Sequence, residues 1–225
     1  MVTQTRGTIH HMNSEIVSTI AKIRTSVPLL SAHILFVFII PIILIITGVI
    51  PIEYRIIVLS VVVSALFIIL IAEKWTLRML GFRMPTKKEM LGYTIFTFVG
   101  VIAISQLGAH IGTSTVTIWW QQPHFLYLFF IVSVLQELAY RGYLMPALAS
   151  VERSPLAIIL TNAVLFAFLH AIFPNYLTNL PLAFVGGIAF AAIYYKYPNL
   201  VLIMLSHAVL NFVAVWYGFF TIGGI

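Results

Sequence analysis

The 225-residue chain contains no cysteine, so disulfides, cysteine-ligated zinc and thiol nucleophiles are excluded. Aspartate is absent too: all six acidic residues are glutamate, which rules out an aspartyl dyad. Charge of either sign is scarce, at 8% of residues, where a soluble domain carries about a quarter. With 61% hydrophobic residues, the chain is neither an ordinary soluble globule nor a disordered protein. Its 12 Lys and Arg outnumber its 6 Glu, but they form no stripe. They sit between long apolar runs, which reads as membrane topology and argues against a nucleic-acid partner.

A spanning helix needs about 20 apolar residues. The pattern predicts an all-α, polytopic membrane helix bundle of about seven transmembrane helices, at 30–50, 56–72, 91–110, 125–148, 156–173, 177–195 and 200–220. Pro51, Pro85, Pro155, Pro174 and Pro198 punctuate these runs. Residues 1–29 read as a polar leader, and 30–225 as a single transmembrane domain with no room for a separate soluble one. The first apolar run is too long for a signal-peptide core and reads as a retained span. Ten of the twelve basic residues fall in the leader or in alternate loops on one side. The positive-inside rule then makes the N-terminus cytoplasmic and the protein a multi-pass component of the cell membrane. Trp119, Trp120 and Trp216 fall at the outer boundary; Trp75, Tyr194 and Tyr195 fall at the inner one. Two stretches, 14–25 and 73–89, mix apolar and basic residues and read as interfacial, attracted to anionic lipid.

Polar residues inside spans are costly and usually functional. The fourth span holds Ser133, Gln136, Glu137, Tyr140 and Arg141, at offsets that share one helical face. Glu137 and Arg141, at i and i+4, are spaced for an ion pair within the helix. The fifth holds Asn162, Phe166 and His170; the seventh holds His207 and Asn211. Three otherwise apolar helices each present one polar stripe, and such stripes converge away from lipid. Taken one at a time, the ion pair, each histidine and Asn211 also serve as interhelical glue, and Ser133 and Asn162 read as packing residues. The functional reading rests on their conjunction at matching depth.

These residues also form a known pattern. Gln136-Glu137-Leu138-Ala139-Tyr140-Arg141 resembles the first motif, Glu-Glu-x-x-x-Arg, of the CPBP family, the CAAX proteases and bacteriocin-processing enzymes also called Abi proteins. Phe166-Ala167-Phe168-Leu169-His170 resembles the second, Phe-x-x-x-His, and His207-Ala208-Val209-Leu210-Asn211 the third, His-x-x-x-Asn/Asp. The resemblance covers about 91–220 and departs at one position, where Gln136 replaces the first glutamate. In the family that glutamate is the favoured general base; a glutamine hydrogen-bonds water but does not take its proton.

The resemblance implies an intramembrane endopeptidase acting on a hydrophobic peptide precursor or membrane-anchored protein, in peptide maturation, bacteriocin immunity or signalling. It assigns Glu137 with Gln136 to water activation and His170 to positioning water or a metal. His207 and Asn211 fall to transition-state support, with Arg141 and Phe166 supporting. The family is often labelled metalloprotease, and metal-free glutamate mechanisms are also proposed for it. The cofactor therefore stays open between zinc, held by His170, His207 and Glu137, and none; the sequence lacks the His-Glu-x-x-His helix that signals zinc more strongly. Gln136 motivates a second reading, a non-catalytic membrane adaptor on the same scaffold. The small residues Ala183, Gly186, Gly187 and Ala191 would permit helix contact, within the chain or with a partner. A small transporter is disfavoured because no inverted repeat is visible.

Overall fold

The computed structural model describes residues 25–111, 123–152, 154–173 and 175–220, with side chains in the second stretch described from Phe130 onward. The interfacial stretch predicted at 14–25 lies outside the described residues apart from Thr25, as do Trp119 and Trp120.

The described residues form seven helices and no strand. Helix α1 is Val27–Ile46 and α2 is Ile52–Ala72. Helix α3 is Lys87–His110, and α4 runs through Pro123–Glu137, Leu138–Leu144 and Met145–Val151. Helix α5 is Pro155–Ile172, α6 is Tyr176–Lys196 and α7 is Leu200–Trp216. Five of them (α1, α2, α3, α5 and α6) are long and apolar enough to cross a bilayer outright. The protein is a multi-pass membrane protein built as a helical bundle.

Local chemistry sets where the helices start. Ser26, Ser154 and Asn199 cap α1, α5 and α7 by accepting from backbone N–H groups three residues on. Thr86 and Glu89 form a reciprocal capping box at α3. Two helices stop sooner than hydropathy predicts. Helix α1 ends at Ile46 and α7 at Trp216, because Gly48 (φ 73°) and Gly218 (φ 77°) turn the chain left-handed and let it bond back on the last turn. Hydropathy does not register that turn, since the residues beyond it remain apolar.

Prolines explain two irregular stretches. Pro41 and Pro146 have no N–H to give the helix. The turns before them, Ile34–Ile39 in α1 and Leu138–Leu144 in α4, widen into π geometry. The Met145 N–H consequently reaches back to the Tyr140 carbonyl.

Apolar burial does not hold helices together in lipid; packing and hydrogen bonds do. Helix α5 packs along α6, and α3 and α4 pack along α7. Large side chains such as Phe36, Ile68, Ile71 and Phe98 remain exposed around the outside, as a lipid-facing surface requires. The 73–89 stretch, expected to lie on the membrane surface, is partly drawn into the bundle. It is an irregular loop up to Pro85, with Met79 and Leu80 buried under the bundle. Tyr194 donates to the Leu80 carbonyl (3.2 Å), Leu200 N–H to the Gly81 carbonyl (2.9 Å) and Asn199 to the Arg83 carbonyl (3.0 Å). Arg83 in turn pairs with Glu89 and donates to the Pro198 carbonyl (2.9 Å). Two loops are thereby tied together at the basic end of the bundle. The predicted interfacial aromatics Tyr194 and Trp75 turn inward for the same reason: their polar atoms find partners, Leu80 and Glu73, inside the protein.

Candidate active site

Helix α4 carries Glu137 and Arg141 one turn apart, and both side chains are fully buried. Arg141 Nη1 donates to Glu137 Oε1 at 2.9 Å. A buried charge needs every partner it can find. Arg141 Nη2 donates to the Gly187 carbonyl of α6 (3.2 Å), and the guanidinium lies 4.5 Å from the Phe166 ring and 5.3 Å from the Phe190 ring.

The same Glu137 oxygen faces α7, where His207 Nδ1 stands 2.6 Å away. A carboxylate paired with arginine only accepts, so His207 Nδ1 carries the hydrogen and Nε2 keeps its lone pair. His170, where α5 tightens into a 3-10 turn, uses Nδ1 in the same way, on the Phe166 carbonyl at 2.8 Å. Phe166 lies between them, 4.8 Å from the His170 ring and 5.6 Å from that of His207. Asn211 donates to Ser133 Oγ (2.9 Å), which leaves its second amide hydrogen free for another acceptor.

His170, His207, Asn211 and Phe166 line one cavity of about 420 Å³, bordered by α3, α6 and α7. Glu137 sits behind His207 and does not border it. Gln136 is not in this group. Successive helix residues are about 100° apart, and Gln136 turns with Tyr140 toward a separate apolar cavity of about 70 Å³ against Val37, Phe38, Leu59 and Val62. Its Oε1 is buried there without a hydrogen-bond partner. The polar face read from α4 is therefore two faces: Ser133, Glu137 and Arg141 toward α6 and α7, Gln136 and Tyr140 toward α1, α2 and α5.

Zinc does not suit this donor set. Two imidazole Nε2 atoms are free, whereas a catalytic zinc takes three protein ligands. The third expected donor, Glu137 Oε1, is occupied by His207 and by a guanidinium whose positive charge opposes a cation beside it. Among the described residues no three His or Glu side chains are grouped to hold a metal ion.

Two contributors carried no sequence signal of their own, and a third was read only as packing. Phe190 and Gly187, which hold Arg141, are an aromatic in an apolar run and one small residue among several. Asn162, read as packing, donates to the Tyr140 carbonyl (2.7 Å) and so ties α5 to the π turn behind the ion pair.

Residues 117–213 match the family model described as type II CAAX prenyl endopeptidase, Rce1-like. No curated protein and no solved structure matches the chain. The matched stretch contains all three motifs in order, on the three helices whose side chains meet around Phe166. Over these residues the chain is similar to the Rce1-like type II CAAX prenyl endopeptidases.

Proposed function

We propose that the protein is an intramembrane endopeptidase of the CPBP type, hydrolysing a peptide bond in a hydrophobic, membrane-associated protein or peptide precursor. The observation that carries the reading is His207, held through Nδ1 by buried Glu137, with its ring on the cavity wall beside His170 and Asn211.

The proposed chemistry uses these groups in turn. His170 Nε2 accepts a hydrogen bond from water and orients it. His207 Nε2 takes the water proton as its oxygen attacks the scissile carbonyl carbon. Glu137 stabilises the imidazolium that forms, and Arg141 holds Glu137 in place. The free Asn211 N–H donates to the developing oxyanion. The C–N bond then breaks as His207 returns its proton to the leaving nitrogen, giving a carboxylic acid and an amine. In this scheme Glu137 is a positioning residue acting through His207, and Gln136 has no part in proton transfer, which accommodates the loss of the family's first glutamate. No step passes through a metal.

A quenched-fluorescence library of hydrophobic and prenylated peptides, offered to the purified protein, tests the proposal. Wild type cleaves, His207→Ala and His170→Ala do not, and a chelator changes nothing. Gln136 supports the alternative, a non-catalytic membrane adaptor; cleavage by Gln136→Glu alone would establish it.

A further inference from the structure

At the end of the bundle away from the basic loops, α3 stops at His110 and α6 begins at Tyr176. A pocket of about 460 Å³ lies there, lined by residues 175–179, Ile111 and the turn after α7 at 218–219. It shares no lining residue with the cavity at His170 and His207. Much of its lining is polar, unlike that of the two apolar cavities, and none of its lining side chains carries a charge.

Two sets of hydrogen-bond donors stand at this pocket without partners. The first is the start of α6, a helix of 21 residues. Asn175, its N-cap, makes no side-chain cap bond. The N–H groups of Thr178 and Asn179 turn back to the Asn175 carbonyl (3.1 and 2.8 Å), whereas those of Tyr176 and Leu177 meet no acceptor among the described residues. The second is the side chain of Asn179, only 2% exposed. Its Oδ1 accepts the Phe220 N–H (3.4 Å), which fixes the amide with Nδ2 on the pocket side, and Nδ2 donates to no described residue. A nearly buried amide N–H left unpaired is costly and points to an acceptor from outside the chain.

Unpaired donors at the positive end of a helix, with no carboxylate among the lining residues, suit an anion. The rims decide which anion. Leu177, 80% exposed, and Ile111, 46% exposed, set apolar side chains beside the donors, at the ends of two helices long enough to cross a bilayer. A ligand that satisfies both is amphipathic, with an anionic head at headgroup depth and apolar chains below it. We propose that this pocket binds the phosphate of a phospholipid headgroup. The Tyr176 and Leu177 N–H groups and Asn179 Nδ2 donate to its oxygens, and the acyl chains lie over Leu177 and Ile111. The volume falls within the roughly 300–1,000 Å³ of ligand pockets. The site does not depend on the peptidase reading.

The full chain, solubilised in detergent, is titrated with dioctanoyl phosphatidylglycerol while its melting temperature is followed. A saturable rise is the expected result, with none from dioctanoylglycerol, which has the same chains and no phosphate. Asn179→Asp keeps the oxygen that takes the Phe220 N–H but puts an anion where the donor was. It should need at least about tenfold more lipid for the same rise. Thr178→Glu sets a carboxylate at the same helix end from an exposed position, with the same expected loss, and stands in if Asn179→Asp does not fold. An equal rise from dioctanoylglycerol overturns the headgroup site. An equal rise from inorganic phosphate assigns the pocket to the free anion and overturns the lipid as occupant. Sodium octanoate matching the phospholipid overturns phosphate in favour of a carboxylate. A rise undiminished in both variants places the lipid elsewhere on the protein and overturns the pocket, as does no rise at all.

Discussion

At the scale of single residues, the site turns on which atoms of Glu137 and His207 are already engaged. Glu137→Gln keeps the shape of the side chain but abolishes the anion that fixes the His207 tautomer and stabilises its charged form. Loss of that function in a comparable carboxylate–histidine pair costs about 10⁴ in kcat; a drop of at least about 10² is expected here, with KM little changed, because substrate does not touch Glu137. Turnover measured on one hydrophobic peptide checks this, and an unaltered kcat would return Glu137 to a purely structural role. Gln136→Ala is expected to leave turnover within about threefold of wild type, since Gln136 faces the other cavity. Arg141→Met should instead act on stability. It leaves Glu137 buried against His207 without its guanidinium, a type of loss that costs about 3–5 kcal/mol. The expected outcome is a large fall in the melting temperature of the detergent-solubilised protein.

At the scale of elements, α5 and α6 approach closely because Gly187 has no side chain to separate them. Gly187→Leu drives a branched group into the Ala163 backbone and displaces the carbonyl that Arg141 uses. Overpacking of this kind costs about 1–3 kcal/mol or more. A lowered melting temperature with loss of activity is expected, whereas Gly186→Ala, one residue away, should melt as wild type does. A protein that tolerates both equally would show that the α5–α6 contact is looser than the structure has it. The seven helices were legible in the sequence because apolar length and Pro or Ser boundaries are local properties. The two helix ends past Ile46 and Trp216 were not, because Gly48 and Gly218 act through backbone handedness, which hydropathy does not measure.

At the scale of the whole molecule, the loops at the basic end are tied across the bundle by Arg83, Tyr194 and Asn199. If the positive-inside rule orients the chain, that end is cytoplasmic. Leu77, 69% exposed in this loop, gives the check: Leu77→Cys should take a membrane-impermeant thiol reagent in inverted vesicles and not in right-side-out ones. The opposite pattern would reverse the orientation. The basic loop itself shows the limit of pattern reading. Its mix of basic and apolar residues reads as interfacial, yet Met79 and Leu80 are buried because the Tyr194 hydroxyl of α6 and the Leu200 N–H of α7 donate to carbonyls of the loop and hold it beneath the bundle.

The sequence by itself determined that the chain lives in a membrane, that it divides into seven largely apolar helices, and which three of them carry the polar stripes. Composition, run length and residue spacing along one helix are sufficient for that. Only the tertiary structure decided that Gln136 and Glu137, adjacent in the chain, point apart, Gln136 into the apolar cavity against α1 and α2 and Glu137 onto His207, and that Phe220 packs on His170. The helical period gives angles between side chains about one axis; it does not say how that axis is rotated against its neighbours. That rotation is set by contacts far apart in the chain, among them Glu137 with His207, Arg141 with Gly187 and Asn211 with Ser133.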